Sequence, residues 1–118
     1  MKNIILIGMP GAGKSTVGVL LAKSMGYDFV DADLVIQKQQ GTKLQNIIDE
    51  RGLDGFKQAE EQALLSINDK KAIIATGGSA VFSTAGMAHL KENGICVYLR
   101  VDEQELIRRL TNIKTRGI

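Results

Sequence analysis

Eight residues near the N-terminus, Gly8-Met9-Pro10-Gly11-Ala12-Gly13-Lys14-Ser15, fit the spacing G-x-x-x-x-G-K-S/T. Glycine-rich backbone can wrap its N–H groups around an anion, and the N-terminus of a following helix adds a favourable dipole. In such a loop Gly11, Ala12, Gly13, Lys14, Ser15 and Thr16 would contact a nucleotide's phosphates. Lys14 would reach the β- and γ-phosphates, and the Ser15 hydroxyl would ligate Mg²⁺. A chance glycine-rich turn is the alternative, and the flanking residues argue against it. Residues 3–7 are a short β-branched run suited to a strand covered on both faces. Val17, Leu20, Leu21 and Met25 recur at helical spacing up to Gly26, where a helix would stop.

Asp31 and Asp33 are a second chemical signal. Two residues apart on one extended segment, they would point to the same side. The end of a strand is where open α/β sheets bind ligands. One carboxylate could hold Mg²⁺, directly or through water, and the other could orient or deprotonate an attacking hydroxyl. The competing reading is a solvated turn with Asp33 as a helix N-cap. Thr76-Gly77-Gly78-Ser79 follows another apolar run, and glycines there let backbone approach a ligand closely, or simply turn the chain. Lys57 and Glu60 are three apart on a helix, the spacing of an exposed ion pair. His89 has no Cys or His at metal-ligand spacing, and Cys96 lies in an apolar strand with no base supplied to it. Arg108, Arg109, Lys114 and Arg116 could close over phosphates or merely complement the end of a helix.

The elements that must position these groups alternate strand and helix, the pattern of an α/β domain with a parallel sheet. Strands are expected over 3–7, 28–31, 72–75 and 95–99. Helices are expected over 14–25, 34–39 and from 42 to Gly52, with Thr42 and Gln45 as a capping box. A further helix carries Phe56, Glu60, Ala63, Leu64 and Ile67 on one face. A short helix with Met87 and Leu90 closes at Gly94, and Asp102 caps the last. The 118 residues make one domain, 44% hydrophobic, with a net charge of +2. That charge is too small to point to nucleic acid or membrane, aromatic residues are only 4%, and no stretch approaches the ~20 apolar residues of a membrane span. A single cysteine and no signal-peptide pattern suit the cytoplasm.

Taken in order, the loop Gly8–Ser15, Asp31-Ala32-Asp33, Phe56-Lys57-x-x-Glu60, Thr76-Gly77-Gly78-Ser79 and Val97-Tyr98-Leu99 make the chain similar to the shikimate kinase family of small P-loop kinases. The D-x-D segment and the Gly13-Lys14-Ser15-Thr16 ending distinguish it from adenylate kinases. The resemblance implies a three-layer α/β P-loop NTPase fold with a mostly parallel sheet ordered 2-3-1-4. It also implies a monomer that uses ATP and Mg²⁺ to phosphorylate a small anionic metabolite, shikimate first. Asp31 would help hold the metal through water. Asp33 would orient or deprotonate the acceptor hydroxyl, with Gly77 and Gly78 along the acceptor. Lys57 stands where the family has an arginine that grips the substrate carboxylate, and a lysine is a single point charge without the two-pronged contact. Ser79 replaces the third glycine of the family's run. Arg116 matches a lid arginine that reaches the transferred phosphate, although Gly117-Ile118 stand in place of Pro and Leu. The family's remaining lid, a further helix and a fifth strand are expected beyond these residues. The departures fall on the substrate side, so a kinase for another polyol, hydroxy acid or nucleotide, or a nucleotide-binding domain without turnover, are the alternatives.

Overall fold

The computed structural model describes residues 2–8, 13–99 and 108. The elements run β1 (Asn3–Gly8), α1 (Lys14–Met25), β2 (Asp28–Asp31), α2 (Ala32–Gln40), α3 (Leu44–Ser66), β3 (Ala72–Ala75), a 3₁₀ turn (Ala80–Phe82), α4 (Thr84–Glu92) and β4 (Gly94–Leu99). The four strands are parallel in the order β2-β3-β1-β4, as the sequence implies.

Burial on both faces explains the apolar strands. Leu6 and Ile73 face α1 and pack with Ala22, Val17, Leu21 and Phe29. Ile5 and Ile74 face the other way, onto Leu64, Met87 and Leu90 of α3 and α4. A third cluster, Ile36, Ile47, Ala59 and Ala63, joins α2 to α3 beside the sheet. Helix α1 seats closely because residue 18 is glycine: a Cβ there would lie 2.5 Å from Phe29 Cε1. Asn3, buried at the start of β1, accepts from the Ala72 N–H through Oδ1 at 2.8 Å and donates through Nδ2 to the Asp69 carbonyl at 2.6 Å. The entry to β3 is thereby tied to the entry to β1.

Two sequence expectations shift and a third holds. The Thr42–Gln45 capping box does not form. Helix α3 starts one residue later, with Lys43 at its N-cap, so Thr42 lies outside it and accepts from Asn46 while Gln45 donates to Asp49. The expected stop at Gly52 holds: two helical stretches of α3 meet there at a kink, where φ is 72° and ψ −176°, a left-handed value that glycine reaches without strain. Helix α4 closes at Asn93, and Gly94 opens β4 instead. A Cβ at 94 would lie 2.6 Å from Ile5 Cδ1 and 2.8 Å from the Leu90 carbonyl oxygen, so the residue permits close strand entry. Cys96 is half-buried against the α3–α4 core, and His89 bonds the Ile67 carbonyl through Nε2 at 2.9 Å. The helix expected after Asp102 lies outside the described residues. Among those described, no helix is long and apolar enough to cross a membrane.

Candidate active site

Strand β1 delivers the loop and α1 receives it. Gly13 caps α1 at φ 81°, and its carbonyl accepts the helix's opening bond from Val17 N–H at 2.9 Å. The first N–H groups of a helix have no partner within it, so they are available to an anion. Gly8 at the end of β1 lies with its α-carbon against β4; a Cβ there would be 2.7 Å from the Leu99 carbonyl oxygen. The Lys14 ammonium donates to the Gly8 carbonyl at 2.6 Å. Gly11 and Ala12 lie outside the described residues, as does Arg116.

Asp31 joins the two halves of the site. It is the last residue of β2 and the N-cap of α2, accepting through Oδ1 from the Asp33 N–H at 2.9 Å and the Leu34 N–H at 3.4 Å. Its other oxygen, Oδ2, accepts from the Ser15 hydroxyl at 3.5 Å. The two aspartates are therefore not alternate residues of one extended segment. Asp33 is in the first turn of α2, and the cap is Asp31 rather than Asp33. The two side chains still reach one open cleft of about 310 Å³, shared with Gly13, Lys14, Ser15, Thr16, Gly77 and Gly78.

Electrostatics sets Asp33 apart. Burial, and then the neighbouring Asp31 charge, push its carboxyl above the ordinary aspartate range, against the pull of Lys14. Burial pushes Lys14 below the ordinary lysine range, with Asp33 opposing. A carboxylate raised in this way is a better proton acceptor than an exposed one, and its tuning by neighbours is typical of functional sites. Gly77 makes the approach possible: a Cβ there would lie 2.8 Å from Asp33 Oδ1. Thr76 holds this segment in register, its hydroxyl donating to the Leu6 carbonyl at 2.8 Å.

Lys57 and Ser79 do not line this cleft. They line an adjoining cavity of about 550 Å³ between α3, the 3₁₀ turn and α4, with Glu60, Phe82 and Thr84. The structure thus divides the expected acceptor residues, with Asp33, Gly77 and Gly78 on the phosphate side and Lys57 and Ser79 beyond. Between them stands Glu60, which sequence reasoning treats as half of a surface ion pair. It is 2% exposed and accepts instead from the Ser79 hydroxyl. The signal was its place on the apolar face of α3, in line with Ala63 and Leu64. Thr76 also goes unassigned in the sequence.

The Ser15 hydroxyl and Asp31 carboxylate suit a hard divalent cation. Mg²⁺ takes oxygen ligands and commonly only one or two from the protein, the rest being water and phosphate. Among the described residues, no group of three or more His, Cys, Asp or Glu is placed to bind a metal.

A glycine-rich phosphate-loop sequence between β1 and α1, in a parallel sheet ordered 2-3-1-4 with Asp31 at the end of β2, defines a P-loop kinase fold. A sequence model described as shikimate kinase matches residues 10–118, and the chain belongs to the shikimate kinase family. A curated shikimate kinase of Thermodesulfovibrio yellowstonii is 42% identical over 119 residues, all of this chain and 69% of that one. One of a Synechococcus strain is 44% identical over 109 residues, 92% of this chain and 55% of that one. The solved shikimate kinase of Acinetobacter baumannii, in complex with shikimate, aligns at TM-score 0.80 and 36% identity over 98% of this chain and 65% of that one. That of Bacteroides thetaiotaomicron aligns at 0.80 and 32% over 93% and 63%. The chain spans 55% to 69% of the length of these two curated relatives.

Proposed function

We propose that this chain carries the phosphate-binding and acceptor-orienting centre of an enzyme that transfers the γ-phosphoryl group of ATP to a hydroxyl of shikimate. The observation that carries the reading is the convergence of Lys14, the Ser15–Asp31 pair and the raised carboxyl of Asp33 on one cleft. The loop N–H groups and Lys14 would hold the phosphates and offset the charge developing on the transferred group. Asp33 would accept a hydrogen bond from the acceptor hydroxyl, orient it in line and take its proton. Ser15 and Asp31 would hold Mg²⁺, which when bound offsets phosphate charge and fixes its geometry. Arg116 would add a cation over the transferred phosphate, as the family resemblance implies. Lys57 would attract the acceptor carboxylate from the adjoining cavity. A monomer in the cytoplasm, with no nucleic-acid or membrane partner, completes the proposal.

Asp33→Asn separates binding from transfer. The variant is expected to bind ATP like the parent and to lose at least about 10²-fold in kcat, the lower range for general acid–base catalysis. Parental turnover in a coupled ADP-release assay would remove Asp33 from the role. The single charge of Lys57 favours a second reading, a kinase for another hydroxylated anion. A panel of shikimate, quinate, gluconate and nucleoside monophosphates decides between them. ADP release that stays at background with every acceptor would instead mean a nucleotide-binding domain without turnover.

A further inference from the structure

Ser79 Oγ stands 3.0 Å from Glu60 Oε1 and 3.1 Å from Oε2, so one hydroxyl serves both oxygens of a carboxylate that is 2% exposed. A Cβ on Gly77 would lie 3.4 Å from Glu60 Oε2 and 2.8 Å from Asp33 Oδ1. Glu60 and Asp33 therefore converge on one peptide, Glu60 from the Lys57 cavity and Asp33 from the phosphate cleft. Lys57, three residues before Glu60, has the spacing at which lysine and glutamate attract on a helix. The hydrogen bond to Glu60 comes from Ser79 instead, across from the 3₁₀ turn.

We infer that Ser79 is a positioning residue whose hydroxyl fixes the Glu60 carboxylate in the wall between the two cavities. An anionic acceptor then enters with its charged group on the Lys57 side and its hydroxyls toward Asp33. The inference rests on the kinase reading above. Asp33 from α2 and Ser79, at the N-cap of the 3₁₀ turn, act on Glu60, and Lys57 and Glu61 line the same cavity as Glu60 on its own helix. Burial and the Asp33 charge both favour its protonation, and the Ser79 hydrogen bond works against them. A glycine at 79, the residue the resemblance leads one to expect, has no donor to offer. Without the donor Glu60 would take up a proton more readily, which weakens the negative wall that keeps the acceptor's charged group away from Asp33.

The test compares Ser79→Ala and Ser79→Thr with the parent. Glu60 is followed by ¹³C NMR of its side-chain carboxyl, assigned with Glu60→Gln, as pH is varied without ligands. The midpoint is expected about one unit higher in Ser79→Ala and close to parental in Ser79→Thr, as loss of a hydrogen bond to the charged form requires. An unchanged or lower midpoint in Ser79→Ala overturns the inference. At pH 6, kcat with shikimate is expected to fall several-fold more in Ser79→Ala than kcat with the uncharged methyl ester of shikimate, because an anion no longer kept from the Asp33 side binds unproductively. Equal falls would mean general damage to the pocket and would also overturn it. If the parent phosphorylates neither compound, the kinase reading falls, and the Glu60 titration alone decides the role of Ser79.

Discussion

Alanine at position 77 would place a methyl carbon 2.8 Å from Asp33 Oδ1 and 3.4 Å from Glu60 Oε2. Carbon–oxygen contacts of even the attractive kind lie at about 3.3–3.6 Å, so the second contact is ordinary and the first is too close by about half an ångström. What must yield is the end of a two-torsion side chain, and an off-rotamer shift of that order costs about 0.5–1.5 kcal/mol. For a domain of this size that lowers Tm by a few degrees. The functional loss is larger than the structural one, because the atom that yields is the one proposed to orient the acceptor. Misplacing a reacting group by about 1 Å can cost 10²-fold, so a shift of half that is expected to lower kcat about tenfold. The added methyl also shields Asp33 from water, which moves its titration further upward and the acid limb of the rate profile with it. The KM for ATP is expected to stay within about twofold, since Gly77 is not in the phosphate loop. Steady-state kinetics with ATP and shikimate varied separately, together with a thermal melt, give all three quantities. A variant with parental kcat and a lowered Tm would show that the position of the Asp33 carboxylate does not matter, and would refute the orienting role.

Three further substitutions probe other parts of the chain. Gly18→Ala puts a Cβ 2.5 Å from the Phe29 ring, and overpacking at a helix–sheet contact is expected to cost about 1–3 kcal/mol in urea unfolding; parental stability would mean that α1 is not seated by that glycine. Lys57→Arg restores a bidentate donor, and a hydrogen bond to a charged group is worth about 1.5–3 kcal/mol. KM for shikimate is then expected to fall about tenfold with kcat little changed, and an unchanged KM would remove Lys57 from carboxylate recognition. Asp33→Asn should be more stable than the parent at neutral pH. The folded state raises the Asp33 pKa, so it binds more protons than the unfolded chain and is penalised above the folded pKa. The difference in Tm should shrink as pH falls through that pKa, and a gap independent of pH would contradict the assigned burial and charge effects.

The sheet order and the strand–helix alternation could be read from the sequence because period and punctuation agree there. β-branched runs, helical spacing in α1 and glycines after α1 and α2 all point one way. The misreadings concern one-residue offsets. Thr42 and Gln45 satisfy a capping pattern, yet Lys43 adopts the N-cap conformation and the two polar side chains find helix neighbours instead. Gly94 resembles a helix stop, but its missing Cβ serves contact with Ile5. The first outcome is a choice between two local pairings four residues apart, and the second is decided by a tertiary neighbour that no local window contains. The same holds in the site. Lys14, Ser15 and Asp31 were legible because their spacing carries a mechanism. Glu60 was obscured because its partner Ser79 lies on a different element, and a Lys–Glu spacing of three has a commoner surface explanation.

Asp31 shows why the D-x-D spacing suits the site even though the segment is not extended through both residues. One carboxylate oxygen ends α2's run of unpaired N–H groups, taking the bonds from Asp33 and Leu34, while the other turns to Ser15 on the phosphate loop. Removing that carboxylate would free the first turn of α2 and the loop-side hydroxyl together. Asp33, one residue inside the helix, then takes its direction from a cap that is itself tied to the phosphate loop. If Asp33 stood at the cap, one of its oxygens would be taken by backbone N–H groups, as Oδ1 of Asp31 is. With the cap two residues earlier, Asp33 keeps its carboxylate for the cleft, and burial beside Asp31 raises its basicity. On the proposed reading the spacing divides two tasks between two aspartates: Asp31 closes the helix and turns to Ser15, and Asp33 is left for the acceptor hydroxyl.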